Sequence, residues 1–98
     1  MNVEVRSEAH WDIAAGVAFY DRQGFGVGDY FYQRIFDDIE SLSETAGIHE
    51  IHFGYYRKIA SHHPFLIYYR LVPKGVEVVA VLDGRSQPSD IDALLQRR

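Results

Sequence analysis

The chain has 98 residues, 47% of them apolar and 24% charged, which suits one globular domain spanning 1–98 and leaves no room for a second core. It has no cysteine, so disulfide frameworks and thiolate metal sites are excluded, and no run of eighteen apolar residues suggests a membrane span. Its net charge of −4 is unevenly spread: residues 1–50 hold three arginines against ten acids, whereas residues 51–98 hold seven basic residues against four acids.

Asn2 to Arg6 alternates apolar Val3 and Val5 with charged Glu4 and Arg6, the pattern of a short strand. No apolar signal core lies between Met1 and His10, so a cytoplasmic protein is expected. Ser7 suits a helix N-cap, with Glu8 favourably placed in the first turn. Ala9, Ile13, Val17 and Tyr20 then follow helical spacing. Gly24, Gly26 and Gly28 predict a tight turn. They do not form a phosphate loop, because they follow a helix and no lysine trails them.

A second helix is expected from about Asp29, through Phe31, Ile35, Ile39 and Leu42, to a glycine C-cap at Gly47. Its carboxylates Asp37, Asp38, Glu40 and Glu44 read as a solvated face. The run from Ile48 to Gly54 reads as a loop with the start of a strand. Strands are predicted at 54–60, 65–72 and 76–83, the last pair joined by the tight turn Pro73-Lys74-Gly75. Alternation puts Phe65, Ile67, Tyr69 and Leu71 on one face of the middle strand and Leu66, Tyr68, Arg70 and Val72 on the other. The centre of the last strand, Val78–Val81, is apolar on both faces. Ser89 is placed to cap a final short helix from Asp90 to Gln96.

The expected class is α+β: an N-terminal strand, a helical hairpin, a three-stranded antiparallel sheet and a short C-terminal helix, with the helices on one face of the sheet. Four tyrosines, Tyr55, Tyr56, Tyr68 and Tyr69, offer either base-stacking faces or ordinary strand packing, and packing is the expectation. None of the five histidines has a carboxylate at a spacing that completes a familiar ligand set, so no metal or other cofactor is expected.

The order of these elements and their residues resembles the RelE/ParE family of bacterial toxins from type II toxin–antitoxin pairs. The resemblance runs from Ala9 and Asp12 through Tyr20, Gly26-Val27-Gly28 and Phe31. It continues through Tyr56-Arg57 and Pro64-Phe65-x-Ile67-Tyr68-Tyr69 to Arg85 and Pro88. It implies a toxin neutralised by a cognate antitoxin protein, with one of two actions. RelE-like members cut messenger RNA on the ribosome, which needs clustered cations at the scissile phosphate and a proton-transfer group. ParE-like members, including plasmid-stabilisation toxins, bind DNA gyrase without performing a reaction.

Arg57 with Lys58 and Arg85 match basic positions of the nuclease branch, and His62 or His63 could act as a base in an atypical member. Yet Phe65 or Leu66 stands where an arginine is expected, and Ile91 where a tyrosine is expected. Apolar side chains can neither stabilise a phosphorane nor move a proton. The ParE-like branch is therefore expected, with Arg57, Lys58, Tyr68, Arg70 and Arg85 gripping a protein partner. The alternatives are a ribosome-dependent mRNA endoribonuclease, or a decayed homologue that only binds its antitoxin.

Overall fold

The computed structural model describes all 98 residues. In chain order it has β1 (Asn2–Val5), α1 (Ser7–Asp21), α2 (Val27–Thr45), β2 (Ile51–His52), β3 (Tyr55–Ile59), β4 (Phe65–Val72), β5 (Gly75–Asp83) and α3 (Pro88–Gln96). The α+β expectation holds, and the three antiparallel strands β3, β4 and β5 lie side by side. The sheet then grows at both edges into five strands ordered β1-β5-β4-β3-β2. β1 joins parallel to the first half of β5, with Asn2 opposite Gly75 and Val5 opposite Val78. β2, Ile51–His52, is two residues long, and it is the only strand within the stretch 48–54 expected to be a loop with the start of a strand.

The helical hairpin forms because both helices present an apolar face to the sheet. Ala9, Ile13 and Tyr20 of α1 and Phe31, Ile35, Ile39 and Leu42 of α2 enter one core with Phe65, Ile67, Tyr69, Val76, Val78 and Val81. Gly26, in the left-handed region at φ 79°, turns the chain between the helices, and Gly47 at φ 97° follows the end of α2. The helix starts differ from expectation. Ser7 and Ser89 lie inside their helices, while Arg6 and Gln87 occupy the N-cap positions without side-chain hydrogen bonds. At α3 a proline in the first turn takes over the starting role, since its fixed φ suits that position.

The expectation of helices on a single face is corrected. α3 packs on the opposite face of the sheet, where Ile91 and Leu95 bury Tyr68, Val79 and Ala80, with Leu66, Leu82 and Tyr55 at the margin. A bulge makes this second core possible. Tyr68 pairs with Ala80 and Tyr69 with Val78, so Val79 is the extra residue of β5.

The backbone freed at the bulge is held by an ion pair that reaches across the chain. Arg98 forks onto Asp12 with two 2.8 Å hydrogen bonds, and each side chain is only 13% exposed. The same guanidinium donates to the Val79 carbonyl at 2.9 Å, while Asp12 accepts the Val81 amide at 3.0 Å. Arg6 donates to the Arg98 carbonyl at 2.9 Å and completes the clasp. One pair thus ties α1, β5 and the end of α3 together.

Candidate partner-binding surface

Strand alternation decides where the basic residues go. Arg57 and Tyr68 are cross-strand partners on the α3 face, and Arg70 lies on that face one repeat further along β4. Arg70 is engaged by Glu77 of β5, its register partner, at 2.7 Å. Lys58 points to the opposite face and lines a shallow groove at the sheet edge with His49, Glu50, Arg57 and Ile59. Arg85 lies in the turn after β5, where it chelates Asp83. Its Nε and Nη2 donate at 3.0 and 2.8 Å, and its own amide donates at 2.9 Å. These bonds hold the Asp83 carboxyl below its ordinary range. The five expected contact residues therefore occupy three places and do not converge on one point.

Tyr68 is fully buried beneath α3, so it cannot touch a partner docked on this surface while α3 is in place. Its hydroxyl makes no hydrogen bond of ordinary geometry, and the Nε of neighbouring Arg57 is likewise buried and unpartnered, although the Arg57 side chain lies near enough for a weak contact. Burial pushes the phenol pKa up, and the Arg57 charge and this weak contact act in the opposite direction. A buried hydroxyl without a partner is a net cost to folding. Tyr68→Phe is therefore expected to raise stability by about 1 kcal/mol, read as a higher urea midpoint. A lower midpoint would show that the hydroxyl has a structural partner. Tyr56 and Tyr69 stack on the hairpin face, with ring centres 5.2 Å apart at 15°. The Tyr69 hydroxyl accepts the Gly47 amide at 2.9 Å and meets His49 Nδ1. Tyr68 and Tyr69 are thus packing residues, in line with the strand-packing expectation.

The two loop histidines lie on the hairpin face, away from Arg57. His63 nests among Tyr20 and Phe31, each 5.0 Å away between ring centres, and Tyr30 at 5.6 Å, with its Nδ1 buried and unpartnered. Asp38, expected on a solvated face, is buried instead. Its carboxylate accepts the Ser61 amide at 2.9 Å and the Ser61 hydroxyl at 2.6 Å, pinning the β3–β4 loop onto α2. The i,i+23 contact has no signature in local spacing, so periodicity alone could not find it.

Burial lowers the pKa of His63, reinforced by His62 and opposed by Asp38; burial and then Lys58 lower that of His49. Folding therefore favours both neutral imidazoles. Their contribution to stability stands in full above their ordinary value of 6.5 and falls as pH drops through it towards the folded-state pKa. The urea midpoint is expected to fall between about pH 8 and about pH 5, and His63→Phe to shrink that fall. An equal fall in wild type and variant would remove His63 from the account.

Chemically, the surface offers one cation pair, Arg57 and Lys58 at the edge groove, and no converging metal-ligand set: no three His, Asp or Glu side chains meet. Phe65 is buried in the hairpin-side core and Ile91 in the α3 core, with Leu66 at the margin of the latter, so the apolar positions noted in the sequence serve the two cores. No helix is long and apolar enough to cross a membrane.

No protein-family model matches the chain, and no curated protein matches it. Among solved structures it is similar to a chain of the chromosomal ParDE TA system from P. aeruginosa, with a TM-score of 0.74 at 18% sequence identity. The likeness covers 85% of this chain and 95% of that chain. At this identity the likeness is one of architecture, and the chain has the RelE/ParE-like fold that its order of elements implied.

Proposed function

We propose that this chain is the toxin of a type II toxin–antitoxin pair, ParE-like, which acts in the cytoplasm by binding DNA gyrase and is neutralised by a cognate antitoxin protein. The observation that carries the reading is the fold shared with a chain of the ParDE system over nearly the whole length of both. The choice of binding over cleavage rests on charge placement. Phosphodiester cleavage needs several cations and a proton-transfer group around one phosphate. Here Arg57 and Lys58 share one edge groove with His49 and Glu50, but the His49 ring is engaged by the Tyr69 hydroxyl, Arg85 is neutralised by Asp83, and His62 and His63 sit on the hairpin side. Leu66 and Ile91 contribute packing where polar groups would be required.

The test is gyrase supercoiling with purified protein. Inhibition is expected, with relief on adding the antitoxin encoded beside it. Full supercoiling at saturating protein would overturn the gyrase reading. Codon-linked cuts in primer extension on translated message would replace it with the ribosome-dependent nuclease. Harmless overexpression with retained antitoxin binding would point to the decayed homologue.

A further inference from the structure

Helix α1 buries Ala9, Ile13, Gly16 and Tyr20 against the sheet and α2, yet its outer side is also largely apolar. Trp11 is 75% exposed and Phe19 is 40% exposed, with Ala15 between them. Glu8, Trp11, Ala15, Phe19 and Arg22 follow spacings of three and four, so they form one stripe. This stripe runs on the side of α1 that overlooks the second half of β5. There a groove of about 280 Å³ opens, lined by Ala15, Gly16, Phe19, Phe65 and Val81 among others. β1 pairs only as far as Val78, so nothing in the sheet covers that side.

We propose that a second copy of this chain packs antiparallel on α1 about a twofold axis at Ala15, inserting its Trp11 beside Phe19 and the adjoining groove.

The sequence of the stripe is the argument for a second copy over another partner. Reflected about Ala15, Trp11 falls opposite Phe19, Ala15 opposite itself and Glu8 opposite Arg22. A twofold contact must be self-complementary in this way, because each patch meets its own copy. Large residues at positions 11 and 19 flank a small one at 15, so the helices can approach at the centre and interlock at the ends. The charges agree with the shape. Arg22 is exposed and forms no ion pair within its own chain, while Glu8 has only a 3.5 Å contact with Arg6.

The other charges bordering the groove are already neutralised, Asp12 by Arg98 and Asp83 by Arg85. An antiparallel pair therefore brings two Glu8–Arg22 contacts together, with the neighbouring Asp21 carboxylate turned to the Gly28 amide of its own chain. A buried tryptophan seated in a partner's groove is the kind of anchor that dominates small interfaces. The interface is small, so association in the micromolar range is expected. The proposal stands apart from the toxin reading, since a gyrase-inactive protein could dimerise equally well.

Trp11 is the chain's one tryptophan, so intrinsic fluorescence reports on this site directly. In sedimentation equilibrium on the full chain, dimer is expected at about one hundred micromolar and monomer on dilution below the micromolar range. Tryptophan emission is expected to move to longer wavelength along the same dilution curve. Ala15→Glu, at an exposed position that leaves the fold intact, is expected to abolish the dimer and show the long-wavelength emission at every concentration. Glu8→Lys and Arg22→Glu are each expected to weaken association several-fold, and the double variant to restore it. A wild type that stays monomeric at one hundred micromolar overturns the proposal. So does a dimer indifferent to Ala15→Glu, or a double swap that does not restore association.

Discussion

Asp12→Ala is expected to lower the free energy of unfolding by about 3 kcal/mol, the lower end of the range for breaking a buried ion pair, because this one is largely but not fully buried. The substitution strands the Arg98 guanidinium in a site only 13% exposed and leaves the Val81 amide without its acceptor at the bulge. Urea denaturation measures the loss. The double variant Asp12→Ala/Arg98→Met is expected to be more stable than Asp12→Ala alone, because it removes the uncompensated charge along with its partner. A loss below about 1 kcal/mol would mean that the clasp behaves like an exposed surface pair. Loss of the clasp should be felt first at α3, whose end is tied to β5 and α1 through Arg98.

Phe31→Ala is expected to cost about 4 kcal/mol, because the ring is fully buried and meets Tyr20, Phe65 and His63 with ring centres within 5.0 Å. The same ring presses on Gly16 of α1. A Cβ added there would lie 2.5 Å from a ring carbon, so the two helices approach closely because position 16 has no side chain. Gly16→Ala alone is therefore expected to destabilise by about 2 kcal/mol through overpacking. In the double variant the new methyl group enters the space the ring leaves, so the combined loss should be smaller than the sum of the two. Strict additivity in a double-mutant cycle would show that Gly16 and Phe31 do not share this space.

These two sites mark different degrees of legibility. Phe31 was readable: it stands in phase with Ile35, Ile39 and Leu42, and all four entered the core. The clasp was not. Asp12 and Arg98 lie 86 residues apart, and neither stands out in composition or spacing. Trp11 lies out of phase with Ala9, Ile13 and Tyr20, and the structure leaves it exposed on the outer side of α1.

By itself, the sequence determined the element types, most of their bounds and the double-sided burial of β5, because these follow from periodicities of 3.6 and 2 within short windows. It also determined that Phe65, Leu66 and Ile91 bring no polar group wherever they fall. Only the tertiary structure decided that α3 covers the second face, that Tyr68 lies under it, and that Asp38 holds a loop. It likewise decided that Arg85 lies apart from the groove that Arg57 and Lys58 share. Each of those outcomes depends on which distant elements meet, on the register of β4 with β5 and on one bulge at Val79. Such long-range pairings leave no period in the chain, so they become visible only once it is folded.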